Sequence, residues 1–194
     1  MTGCTTEIAK GIALDCEHAL VKGFTGRALY IPWSVNPTLT FLGTNPRVIT
    51  AITLGTGIKA RGIYMPTTDP FNGSAIASNA DNGRVMFVKN LAVLIPLHGA
   101  DNAKDVVEPL MKSVQGGLVI VERKDKRGYG SYVVYGLYDP MKADPSSFAQ
   151  NETDNGGSAS LTLTCTEDFE ECNFFDTDYA TTKAAFDALF ADAI

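Results

Sequence analysis

The side chains able to do nucleophilic or metal chemistry are few in this chain, and they sit far apart. Its 194 residues include two histidines, His18 and His98, and four cysteines, Cys4, Cys16, Cys165 and Cys172. A hydrolytic nucleophile needs a base beside it, usually histidine, held in turn by a third group. No Gly-x-Ser-x-Gly elbow accompanies either histidine. His18 falls in an irregular lead-in and His98 between a strand and a helix, so both read as structural or solvated. Cys16, Glu17, His18 and the other cysteines are zinc-ligand types, but structural zinc sites show tight Cys-x₂₋₄-Cys pairs. Here 11 residues separate Cys4 from Cys16, and 6 separate Cys165 from Cys172. The four read as idle or buried thiols. Gly55-Thr56-Gly57-Ile58-Lys59 lacks the four-residue gap and the Ser/Thr of a phosphate loop and reads as a hairpin turn. Glu170 and Glu171 are adjacent and form no matched acid and base. The expectation is a protein without catalytic residues, cofactor or metal.

One constellation points to nucleic acid. Met86 to Leu91 (MFVKNL) resembles the first signature of an RNA-recognition motif, and Arg127 to Tyr135 (RGYGSYVVY) resembles the second. The second carries an extra residue, Ser131. Because side chains alternate along a strand, this puts Tyr129 and Tyr132 on opposite faces and breaks the pair of base-stacking rings. The helix that should follow is missing, since Asp139 to Ser158 holds Pro140, Pro145 and a Gly-rich turn. Two core strands and a charged hairpin are the better reading.

The elements that must position these residues are mostly strands. Arg27 to Ile31 is a short strand stopped by Pro32. Val48 to Leu54 is β-branched and reads as a strand buried on both faces, with Gly55-Thr56-Gly57 turning it into a return strand, Ile58 to Met65. Arg84 to Leu97, Leu118 to Glu122 and Tyr132 to Tyr138 are further strands. Ser160 to Thr166 alternates, with Leu161, Leu163 and Cys165 on its apolar face. Asp101 to Val114 is an internal helix, with Val106, Val107, Leu110, Met111 and Val114 on one face and Pro109 kinking it or marking its first turn. Phe186, Leu189, Phe190 and Ala193 form the stripe of a C-terminal helix capped by Asp178 or Thr181. The fold class expected is mainly β (α+β), in a single domain spanning 1–194. Residues 1–25 read as an N-terminal arm. Tracts 66–83 and 139–158 read as loops too long for ordinary connections: functional loops, disordered segments, or segments ordered against a neighbouring subunit.

Charge and composition narrow the function. The net charge is −6 and 45% of residues are hydrophobic, with a pI of about 4.9. That composition is globular rather than disordered. The acidity argues against a protein that grips phosphates. No apolar run approaches the roughly 18–20 residues of a membrane span, and the first twenty residues lack the basic head and apolar core of a secretory signal. Reduced thiols are therefore expected. For the same reason the acceptor patterns Asn72-Gly73-Ser74 and Asn151-Glu152-Thr153 carry no glycosylation signal.

Four segments carry a family resemblance: Gly11 to Cys16 (GIALDC), Ile49 to Leu54 (ITAITL), Val134 to Leu137 (VYGL) and Phe174 to Ala191 (FFDTDYATTKAAFDALFA). Together they resemble a family of virion proteins of tailed phages and prophages of the Bacteroidota, in particular tail tube proteins. The resemblance spans most of the chain, is most specific at the C-terminal segment, and supplies no catalytic residue. It implies a β-sandwich or barrel of the tail tube type with one packed internal helix and a C-terminal helix. It further implies self-association into stacked rings, usually of six, that form a channel through which double-stranded DNA passes. Other tail or connector proteins would be partners, and the location would be the virion tail after assembly in the host cytoplasm. The residues expected at subunit contacts are Phe71 and Asn72 in the first tract, Arg123, Lys124, Lys126 and Arg127 in the charged hairpin, and Phe148 in the second tract. A head–tail connector or capsid decoration protein is the alternative within the same particle, and an RNA-recognition-like module the alternative outside it.

Overall fold

A computed structural model describes residues 23–64, 74–79, 84–95, 103–126, 128–149 and 159–191. The strands in chain order are β1 (Phe24–Pro32), β2 (Thr38–Leu42), β3 (Asn45–Thr53), β4 (Arg61–Tyr64), β5 (Ser74–Asn79) and β6 (Arg84–Ile95). A wide helical turn, Ala103–Val107, leads into the helix α1 (Glu108–Lys112). Then come β7 (Gly117–Arg123), β8 (Tyr132–Tyr135), β9 (Lys142–Ala149), β10 (Ala159–Glu167), β11 (Cys172–Phe174) and the helix α2 (Tyr179–Ala191). The protein is mainly β with helices, an α+β arrangement.

The strands join in the order β2-β3-β11-β8-β7-β1-β4-β6-β10-β9, with β5 paired to β6 outside this path. Among the described residues every strand pairing is antiparallel except β11 with β3. At the centre, β1, β7 and β8 are buried on both faces, and their period of two sorts their side chains into two cores. Ala28, Tyr30, Val119, Val121, Val133 and Tyr135 face one cluster, which Leu91 and Val93 of β6 and Leu161, Leu163 and Cys165 of β10 complete from across it. The sheet therefore curls back over its own middle. Leu29, Ile31, Leu118, Ile120, Tyr132 and Val134 face the other cluster, which Phe186 and Phe190 of α2 close. Asp178 caps α2, its Oδ1 accepting the Thr181 N–H at 2.7 Å. Gly136 (φ +81°) turns the chain out of β8 where a Cβ would lie 2.5 Å from the Gly117 carbonyl oxygen. Only glycine fits that turn.

Several expectations change. Val48 to Leu54 is not buried on both faces: within β3 only Val48 and Ile49 are buried. The Gly55 turn exists, with the Ile58 N–H donating to Gly55 O at 2.9 Å, but it does not make a hairpin. β3 pairs with β2 and β11, whereas β4 pairs with β1 and β6. Residues 142–149, inside the tract read as loop, form β9, and 74–79 form β5. Pro145 is accommodated because β9 is an edge strand, where a missing N–H need not break a ladder. Pro109 marks the first turn of α1. Of the expected apolar face, Val107 and Leu110 are buried, whereas Val106 and Val114 are exposed.

Candidate functional site

No catalytic grouping emerges from the described residues, so the candidate site is built from surfaces that lack a partner. The path of the sheet ends at β2 and β9. An edge strand presents unpaired N–H and C=O groups that another chain can pair with. The two edges are protected differently. β9 carries Lys142 and Pro145, both exposed, and these residue types discourage pairing. β2 reads Thr-Leu-Thr-Phe-Leu, with no charge and no proline, and Phe41 keeps 39% of its surface exposed. β2 is an open template, and so is β5 (Ser-Ala-Ile-Ala-Ser-Asn), which among the described residues pairs only with β6.

A cleft of about 440 Å³ lies between β1, β4 and α1. Tyr30, Ile63 and Leu110 form its apolar floor; Pro109 and the exposed Val106 stand on the α1 side, and Arg61 and Asp105 bring opposite charges to it. One wall is strand edge. β4 pairs along its whole length with β1, but among the described residues its other side meets β6 at a single pair, Tyr64 with Leu94.

The residues expected at contacts are placed as follows. Arg123 makes a two-pronged ion pair with Glu171, at 3.1 and 2.7 Å, and Phe148 packs on the cluster that Leu91, Val93 and Leu161 share with the central strands, the inner cluster of the curled sheet. Both are engaged within the chain. Lys124 and Lys126 are exposed. Phe71, Asn72 and Arg127 lie outside the described residues, as do His18, His98, Cys4, Cys16 and nearly all of the expected arm. Tyr129 stands half-exposed, 4.7 Å from the Phe175 ring, whereas Tyr132 is fully buried against Phe174, Tyr179 and Phe186. Tyr132 therefore offers no face on which a base could stack.

Charged groups inside the protein were not anticipated. Lys89 and Glu167 pair with both side chains fully buried, and Glu167 also accepts the Tyr138 N–H at 3.0 Å. Half of the signal was present in the sequence, where Glu167 continues the parity of Leu161, Leu163 and Cys165; the structure supplies the other half by setting Lys89 in register with Cys165. On the other face of the central strands, Arg27 reaches Glu122 at 3.4 Å and Asp187 of α2 at 2.8 Å, with its guanidinium 4.5 Å from the Phe190 ring centre. Glu122 also accepts hydrogen bonds from the Thr25 and Tyr132 hydroxyls. Burial, aided by the neighbouring Glu122 charge, raises the Tyr132 hydroxyl well above the ordinary tyrosine range. Burial pushes the Cys165 thiol up to about 12 and the Cys172 thiol to about 11. Thiols so raised are neutral and poor nucleophiles near neutral pH. Among the described residues no three His, Cys, Asp or Glu side chains gather as metal ligands would, and no helix is long and apolar enough to cross a membrane.

No protein-family model, no curated protein and no solved structure matches the chain.

Proposed function

We propose that this chain is a virion structural protein, the tail tube subunit, which self-assembles into stacked rings around a channel for DNA delivery. The observation that carries the reading is the open sheet, whose terminal strand β2 is uncharged, exposed and unprotected. Such an edge is a liability in a protein that works alone and an asset in one whose neighbours cover it. The net charge of −6 supports the channel role, because an acidic wall offers passing phosphates few fixed cations. The family resemblance of the C-terminal segment points the same way, and the buried, raised thiols give no support to an enzymatic reading.

Negative-stain electron microscopy and sedimentation velocity over a range of concentrations test the reading. Stacked rings with a central hole are the expected result. Trimers or isolated dodecamers would shift the assignment to a decoration or connector protein, and a monomer at every concentration would overturn the assembly reading.

A further inference from the structure

The cleft between β4 and α1 deepens that reading, on which it rests, by giving the open edge a place to go. Its volume falls within the roughly 300–1,000 Å³ of preformed binding sites. Its construction, a strand edge facing a helix across an apolar floor, is that of a groove into which an extended segment adds as a strand. The exposed Val106, 40% accessible, leaves an apolar wall uncovered beside it. We propose that β2 of a second copy of this chain docks along β4 in this cleft, with Phe41 as its apolar anchor.

Three observations select that occupant. Phe41 is an exposed aromatic ring on a terminal strand that carries no pairing deterrent. The charges match: between the pairs Phe41 with Ile49 and Leu42 with Asn45 it is β3 that bulges, and the exposed Arg47 lies in that bulge, while Asp105 stands next to Val106 in the cleft. Arg47 is held outward over the Phe169 ring at 4.1 Å, and among the described residues neither it nor Asp105 has an ion-pair partner within the chain. Finally, β2, six strands from β4 in the order of the sheet, is held in place by β3, so a subunit's own β2 cannot pair with its own β4 without leaving β3. A contact between two different surfaces of identical chains is head-to-tail, and it closes into a ring when the rotation allows.

The test uses the full chain and reads the concentration at which assembly begins, by sedimentation velocity, with a thermal melt of each dilute variant to report folding. Phe41→Ala and Asp105→Arg should each raise that concentration at least tenfold without lowering the melting temperature. Arg47→Asp should do the same, and Asp105→Arg with Arg47→Asp in one chain should restore assembly by returning the opposite charges to each other. Mixing the two single charge variants should also restore assembly, because every contact between unlike copies pairs opposite charges, whereas contacts between like copies set like charges together. A mixture that assembles no better than either variant alone would overturn the pairing of positions 47 and 105. Assembly at the wild-type concentration in Phe41→Ala and Asp105→Arg would overturn the docking while leaving the assembly reading intact. A wild-type chain that never assembles would overturn both.

Discussion

Two charged systems lie inside this molecule, on opposite faces of β1, β7 and β8, and they are built on opposite plans. On the inner face Lys89 and Glu167 are fully buried, with Tyr135 near the ammonium and the Tyr138 N–H on the carboxylate. On the outer face Arg27 links Glu122 of β7 to Asp187 of α2. There Glu122 is buried, whereas Arg27 and Asp187 each keep about a third of their side-chain surface in water, 31% and 36%. The inner pair sits where the sheet curls over itself; the outer one sits at the seam where a helix is laid on. The difference teaches what each does. A sealed pair contributes little net stability, because desolvation offsets its attraction, but leaving either charge alone is severe. A pair open to water is a moderate fastener, sensitive to salt and pH.

The largest effect should come from splitting the sealed pair. Lys89→Met leaves the Glu167 carboxylate buried without its cation and should cost about 3–5 kcal/mol in urea unfolding. Lys89→Met combined with Glu167→Gln, which keeps an acceptor for the Tyr138 N–H, should recover most of that loss. A single-variant loss below about 1 kcal/mol would mean that water reaches the pair.

Arg27→Met is the matching change on the outer face. The aliphatic stem still lies against Phe186 and Phe190, and the Thr25 and Tyr132 hydroxyls still bond Glu122. The expected loss is about 1.5–3 kcal/mol, the range for hydrogen bonds to a charged group. In 1 M salt, where the screening length is about 3 Å, the deficit should shrink, while that of Lys89→Met should not. Equal salt sensitivity in both variants would erase the distinction between the faces.

The thiols provide a probe of each face. Cys165 lies in the inner cluster and Cys172 in the cluster under α2. With thiols at about 12 and 11, the native thiolate fractions at pH 8 are roughly 10⁻⁴ and 10⁻³. In a background of Cys4→Ser and Cys16→Ser, neither should react with a thiol-specific reagent before the chain opens. Adding Arg27→Met should speed labelling of Cys172 more than that of Cys165, by loosening α2 first. Equal acceleration would show that the two faces open together.

The contrast also explains what the sequence made legible. Burial that follows period or stripe could be read: β1, β6, β7 and β10 at their centres, the parity of Leu161, Leu163 and Cys165, and the stripe of α2 with its Asp178 cap. What failed were partners and edges. The Gly55 turn is real, but the chain leaving it goes to β1 because Ile63 fills the inner cluster beside Ala28 and Tyr30. β11 is three residues long, too short to announce itself, and is made a strand by β3 and β8 on either side of it. β9 was hidden by Pro145 and by Asp144, whose carboxylate accepts from the Ser146 N–H and hydroxyl as it would in a turn. β2 and the cleft, which carry the assembly reading, arise from how strands are ordered in the sheet, and no local pattern encodes that order.

The smallest expected effect concerns pH and isolates the helix side of the outer system. Burial alone would raise the Asp187 carboxyl, but the bonds it accepts from Lys183 and Arg27 outweigh this and hold it below the ordinary range. A carboxyl depressed in the folded state adds stability that is fully present above its unfolded value of about 3.9 and is lost as pH falls through the folded value. Asp187→Asn removes that contribution. Wild type should therefore exceed the variant at pH 6 by less than about 1 kcal/mol, since the pair is partly solvated, and the gap should close as the pH falls below about 4. Chemical unfolding of both proteins at each pH gives the gap directly. If it persists at pH 2.5, α2 is held by the packing of Phe186 and Phe190 rather than by charge, and the outer face is fastened by the same means as the inner one.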